Sequence, residues 1–553
     1  MTLRLSAVSA SFVSKLPRIV ARRTAATVPT TPSPVTNKKS DVINQRADML
    51  EQIDIEDLPR AQKRFAKQFE QVNDERIKEI FAKNYKMINL IPVAGLDMTP
   101  TGIFWAVLAV NWGLFLIDYY LSYRQYRVHK TNEKRPDDLS EYISVEEYDT
   151  ARKYKLDKHH YNFAHNLYSQ LENTAILCFG VLPILWNYSG ILVQSLFNTT
   201  AEIPQSLGFA LLSGVMSLIL ETPWDMYDTF VIEEHHGFNK QTMGFFITDK
   251  IKKFAVSQLI SAPILTALIW IVRNGGEYFF FYAWILVSIV IFLLMTIYPE
   301  FIAPLFDKYV PLPDGELKTK IEELAARLSF PLTKLYVVHG SKRSTHSNAY
   351  MYGFWKNKRI VIYDTLLSEE ANEQLKDLWG TKEDEKKTEE KEGEEKKEKK
   401  RSIGMQNDEV VAVLGHELGH WDLSHTQFNL LMAEVNLLLL FAVFAYFYRQ
   451  ESLYHAFGFS TQPTLIGLMI VFQFVTAPYN QLMGFIMSVC SRRMEFSADA
   501  YAAKLGFTKQ LSSGLIKIGK DNLSLPIDDP YFSAYNHSHP PIQERLAALK
   551  KFQ

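Results

Sequence analysis

Seven long apolar runs constrain this chain more than anything else in it. They fall at Ile103–Ile117, Thr174–Val193, Ile203–Leu220, Phe254–Val272, Tyr278–Pro299, Thr426–Tyr448 and Thr464–Cys490. Most approach or exceed the ~20 residues an α-helix needs to cross the hydrocarbon core of a bilayer. Most also lack any charged side chain, whereas a helix on the surface of a soluble core keeps a polar face. The pattern therefore predicts a mainly α membrane protein with seven transmembrane helices, and the lipid bilayer is its first partner. A net charge of -1 over 553 residues hides strong segregation of charge, and no nucleic-acid partner is expected. Cys178 and Cys490 both lie inside predicted spans, so no disulfide framework is implied.

Charge then orients the spans. The cluster Arg124, Arg127, His129 and Lys130 follows the first run and opens a polar loop to about residue 173; the positive-inside rule puts that loop in the cytosol. The loop Gln194–Glu202 has no basic residue and carries the possible glycosylation sequon Asn198-Thr199-Thr200, which suits the opposite side. Alternation returns residues 303–425, and everything beyond 490, to the cytosolic side. The N-terminus falls on the far side.

Residues 1–40 hold seven basic residues and no acid; they read either as an organellar transit peptide or as a disordered basic tail. Residues 41–98 are polar or amphipathic, with helical apolar spacing over 57–83. Spans one to five occupy 99–302, and 303–425 form the first part of a soluble domain. There, 316–328 read as a helix and Leu335–Val338, Ser347–Phe354 and Arg359–Tyr363 as strands. The Lys/Glu run 381–402 reads as a solvated, disordered insertion. Spans six and seven occupy 426–490 and the domain resumes over 491–553. Glu434, Gln473, Thr476, Asn480 and Gln481 sit within spans six and seven, where polar groups face either a hydrated cavity or each other.

The chemistry is concentrated at Gly415-His416-Glu417-Leu418-Gly419-His420-Trp421. Two imidazoles four positions apart on a helix project from one face and can reach one zinc ion. Asn407 and Asp408 offer N-cap oxygens for that helix, and Glu417 is placed to act on a water. A catalytic zinc wants three protein ligands. The best candidate for the third is Glu495, in Arg492-Arg493-Met494-Glu495-Phe496-Ser497-Ala498-Asp499, after spans six and seven return the chain to the same side; the other reading of these acids is a capping or salt-bridge role with Arg492 or Arg493. Asp499, one helical turn on, suits the second ring N–H of a ligand histidine. His235 and His236 are adjacent, and neighbours on a helix face different ways, so no metal site is expected of them.

These motifs, together with Glu233-Glu234-His235-His236-Gly237-Phe238-Asn239, Ser347-Asn348-Ala349-Tyr350 and His537-Ser538-His539-Pro540-Pro541 followed by Glu544-Arg545, resemble the CAAX prenyl proteases of type 1. The resemblance covers most of the chain from about residue 100. It implies a seven-helix barrel around a water-filled chamber, capped on the cytosolic side by a zinc metalloprotease domain with a small β-sheet. It implies one zinc per chain held by His416, His420 and Glu495, with Glu417 as general base and His539 helping to hold the oxyanion. Arg545 orders that corner with Asp499, and Asn348, Ala349 and Tyr350 form the edge that pairs with substrate. The implied substrates are prenylated CAAX proteins or peptides, losing their last three residues, with a second upstream cut where the substrate offers one. Two other readings stand beside it: a broader membrane quality-control protease, and a non-catalytic scaffold with structural zinc. The chain departs from the family pattern in its basic N-terminal extension and in His235, where lysine is expected. Lys550-Lys551-Phe552-Gln553 resembles a dilysine retrieval signal, which points to the endoplasmic reticulum membrane; a share in the inner nuclear membrane is expected beside it, and the N-terminal extension leaves mitochondria open.

Overall fold

The computed structural model describes residues 99–353, 358–379 and 404–552. The readings placed on 1–98 and on 381–402 lie outside them. Helix α1 (Pro100–Thr131) starts where Thr99 accepts a hydrogen bond from the Gly102 amide at 3.2 Å, with Pro100 in the first turn, where its missing N–H costs nothing. It runs well past the predicted span. Helix α2 (Val145–Cys178) opens with a capping box between Ser144 and Glu147. Most of the segment read as a cytosolic loop is therefore helical, because α1 and α2 pack along each other beyond their apolar parts, as in the Tyr126–Phe163 edge contact at 5.7 Å.

The second predicted span is broken. Gly180 takes a left-handed φ of 62° and separates α2 from α3 (Val181–Phe197) with a 65° bend, a conformation glycine adopts without a Cβ clash. Helix α4 (Glu202–Tyr227) leads into a π-turn at Asp228–Glu233, and α5 (Met243–Asn274) and α6 (Phe279–Ile297) follow. The seventh span is also broken: α12 (Thr464–Ile470) and the π-turn Val471–Val475 meet α13 (Ala477–Ala502) at 57°, with Pro478 in the first turn of α13. Between them in sequence, α10 (His425–Phe447) is unbroken. Among the described residues, five helices are long and apolar enough to cross a membrane, or up to seven if each bent pair is one span.

Leu259, Trp270, Phe292, Leu293, Ile191 and Phe197 are exposed on these helices. Such a surface is tolerated in lipid and not in water. Inward, Phe209, Ile269, Phe444, Tyr454, Ile466 and Ile470 form the packed centre. Some polar groups in the spans pair between helices: Glu434 accepts from Ser288 Oγ and from Trp284 Nε1 at 3.1 Å, while Gln481 donates to Asp118 at 2.8 Å.

The second layer is built on a four-stranded sheet in the order β1 (Tyr309–Pro311), β2 (Leu332–Val338), β4 (Lys358–Tyr363), β3 (Ala349–Tyr352). Strands β2 and β4 are parallel, and the outer pairs are antiparallel. Helix α7 (Glu316–Arg327) puts Ile321 and Leu324 against Val337, Ile360 and Ile362 of the sheet, and α9 (Asn407–Asp422) adds Val410, Leu414 and Leu418 to the same core. Each such side chain contributes about 1.5–3 kcal/mol by leaving water. The N-cap of α9 is Gln406, not Asn407 or Asp408: Gln406 and Glu409 form a capping box, while Asn407 donates to Glu316 at 2.8 Å and Asp408 pairs with Lys320 at 2.6 Å.

Candidate metal centre

Helix α9 carries His416 and His420 one turn apart, and their rings sit 4.8 Å apart, edge to face. It can lie close to α13 because Gly419 has no side chain: a Cβ there would stand 3.1 Å from Tyr501 Cβ on α13. That approach delivers Glu495. Its two carboxylate oxygens stand 3.5 Å from His416 Nε2 and 3.3 Å from His420 Nε2, and the two Nε2 atoms are 3.2 Å from each other. Ligating atoms of the three residues all lie within 4.8 Å of one another.

The surrounding groups fix this arrangement. Asp499, four residues beyond Glu495 on α13, accepts from His416 Nδ1 at 2.9 Å, which turns Nε2 toward Glu495. Arg545, on α16 (Ile542–Leu549), donates to both Asp499 oxygens, at 2.8 and 2.6 Å. All three of these groups are buried. Burial disfavours a charged His416, but its bonds to Asp499 and Glu495 outweigh that and hold its pKa up at about 9. The pocket thus favours positive charge at this point. His539 reaches over from the exposed side, with Nε2 3.3 Å from Glu495. Glu417 lies next to His416 on α9, half-buried.

The residues fit a divalent metal. Two imidazoles and a carboxylate are a zinc donor set, and buried Glu495 Oε2 makes only long contacts, 3.5 Å to His416 Nε2 and 3.5 Å to Arg545 Nη1, which leaves it free to take a shorter bond to a cation. Asn348, Ala349 and Tyr350 stand apart from this cluster. Ala349 and Tyr350 belong to β3, at the edge of the sheet and packed near α9. The Asn348 carboxamide accepts from the Ala349 amide at 2.8 Å, and the Tyr350 hydroxyl lies 3.4 Å from that of Tyr309.

A further histidine, absent from the sequence motifs, joins this cluster. His425 Nδ1 lies 2.9 Å from His420 Nδ1, and His425 Nε2 lies 3.2 Å from Ser497 Oγ. Its position orients the His420 ring as Asp499 orients His416. The signal is weak in sequence, because His425 comes five residues on, across a chain reversal at Ser424 with φ 58°.

Residues 125–308 match the family described as CAAX prenyl protease N-terminal, five membrane helices, and residues 311–553 match peptidase family M48. The CAAX prenyl protease 1 homolog of Caenorhabditis elegans is 53% identical over 82% of this chain and 99% of its own length. The CAAX prenyl protease 1 homolog of Homo sapiens is 50% identical over 81% of this chain and 95% of its own. The chain belongs to the CAAX prenyl protease 1 family. As a member of that family it is a membrane-embedded metalloprotease. The crystal structure of S. mikatae Ste24p superposes with a TM-score of 0.70 at 35% identity, covering 81% of this chain and 98% of the other. The family likeness thus extends over both the helical layer and the domain that holds the His416–His420–Glu495 cluster.

Proposed function

We propose that this CAAX prenyl protease is a zinc endopeptidase of the endoplasmic reticulum membrane that removes the last three residues of prenylated CAAX proteins on the cytosolic side. The same reading includes a second, upstream cut where the substrate offers one, and a shared location in the inner nuclear membrane. The convergence of Glu495 with His416 and His420, on a helix that also packs against the edge strand β3, supports it most directly.

His416, His420 and Glu495 would hold the zinc ion. When bound, zinc supplies a Lewis acid that makes water more acidic and a carbonyl more electrophilic. The chain's own groups do the rest. Glu417 takes a proton from the attacking water and hands it to the leaving amine as the peptide C–N bond breaks. His539 donates a hydrogen bond to the oxygen on which negative charge develops. Arg545 holds Asp499, and Asp499 holds His416 by Nδ1, so that the ring cannot rotate out of position. The substrate backbone adds to β3 as a further strand, which gives affinity through main-chain hydrogen bonds and leaves side-chain choice to the surrounding surface.

The test is cleavage of a CAAX peptide with and without its prenyl group by the purified protein in detergent. The prenylated peptide should be cut faster; equal rates would refute prenyl selectivity and favour a broader membrane protease. Imaging of a tag in an internal loop should show the endoplasmic reticulum and nuclear rim, and a mitochondrial pattern would overturn the location.

A further inference from the structure

A second group of ligating side chains lies away from the centre just described. Ligating atoms of Asp157, His235 and His236 all fall within 4.8 Å of one another. The adjacent histidines converge because the helix ends between them. The Gly237 amide donates to Glu234 O at 2.9 Å and the Phe238 amide to Glu233 O at 2.7 Å, the paired bonds of a Schellman turn. Gly237 adopts the required left-handed φ of 75°. His236 is thus the last residue before the reversal, and its ring folds back within 4.8 Å of that of His235.

The cluster bridges two elements. Asp157 sits on α2, and its Oδ2 lies 2.7 Å from Nε2 of the buried His236. The His236 ring also stands edge-on to Tyr154 of α2 at 5.0 Å. His235 is exposed, and with Asp157 it lines an open cavity of about 730 Å³, which gives an ion a way in. Two imidazoles and one carboxylate form the same donor set as the first centre. Metal bonds of about 2.1 Å at tetrahedral angles separate ligand atoms by about 3.4 Å, so small rotations of Asp157 and His236 suffice.

We propose that Asp157, His235 and His236 form a second site for a divalent transition-metal ion, of which zinc is the physiological candidate. The ion replaces the proton shared between His236 and Asp157 and ties α2 to the turn after α4. That turn leads toward the substrate edge: Phe238 stacks on His346 at 4.0 Å, and Asn239 bridges to Ser344, just ahead of β3. Ion binding therefore fastens the segment that enters the strand.

The experiment compares wild type with His235→Ala and Asp157→Asn, each purified in detergent, equilibrated with zinc and gel-filtered. His235 is exposed, so its replacement leaves folding intact. Atomic emission should find two zinc ions per chain in wild type and one in each variant, while cleavage of a CAAX peptide by His235→Ala stays at the wild-type rate when zinc is limiting. Cobalt added to protein already carrying one zinc should give a visible ligand-field band in wild type and none in His235→Ala. One zinc per chain in wild type, or two in His235→Ala, overturns the proposal. Because the readout is metal stoichiometry, it stands or falls separately from the protease reading.

Discussion

Glu417→Gln and Glu495→Gln replace the same residue type with the same near-isostere, yet should fail in different ways. The Glu417 carboxylate belongs to no metal-binding group with His416 and His420, whereas the buried oxygens of Glu495 stand 3.3 and 3.5 Å from their Nε2 atoms. Glu417→Gln should therefore bind zinc as wild type does and unfold at the same temperature. It loses a proton acceptor, and general-base catalysis contributes about 10²–10⁴-fold, which corresponds to about 3–5.5 kcal/mol of transition-state stabilisation. Glu495→Gln removes the only carboxylate among the three candidate ligands, so zinc content and turnover should fall together. Both variants are assayed on one preparation, by atomic emission for zinc and by rate on a prenylated peptide. Zinc-replete Glu417→Gln with near-normal turnover would refute the base, and zinc-replete Glu495→Gln would refute the ligand, with Asp499 the next carboxylate to test.

Arg545→Met leaves Asp499 buried without its two-pronged partner, and breaking such a pair costs about 3–5 kcal/mol; thermal unfolding should shift down by many degrees and zinc retention should weaken, and an unchanged midpoint would refute the pairing. His539→Gln alters an exposed side chain, so the unfolding temperature should hold while kcat drops by about 10²–10³, as loss of one oxyanion donor does; a change confined to KM would refute that role. Glu409 is pushed up by burial, but its bonds to Lys517, Ser513 and the Gln406 amide outweigh this and hold it below the ordinary carboxylate value. A depressed pKa stabilises the fold fully above about pH 4.3 and progressively less as pH falls through the lower folded value. The stability gap between wild type and Glu409→Gln should be constant near neutrality and shrink on acidification, and a gap that widens in acid would refute the assignment.

The features legible in the sequence were those carried by local chemistry. Apolar runs locate the membrane helices because lipid imposes a length and a composition, and helical spacing puts His416 with His420, and Glu495 with Asp499, on common faces, as the structure has them. Features decided by backbone geometry or distant packing were not legible. The breaks at Gly180 and Thr476 lie inside runs whose hydropathy is continuous. Strand β1 is three residues long and ends in Pro311, tolerated at an edge that needs no further N–H donor. Asn407 and Asp408 have better capping chemistry than Gln406, but tertiary partners on α7 claim their side chains. His235 and His236 face different ways on an ideal helix, and it is the turn at Gly237, with its left-handed φ, that the helical spacing does not show.

The centre draws His416 and His420 from α9 and Glu495 from α13, so the chain must lay down α10 and the bent α12–α13 leg before the first two can meet the third. During synthesis, a nascent molecule carries two imidazoles and nothing to complete them, and a chain that mis-threads this hairpin stays in that condition. On the proposed ligand set, hydrolytic power would be withheld until both membrane legs of that hairpin are in place.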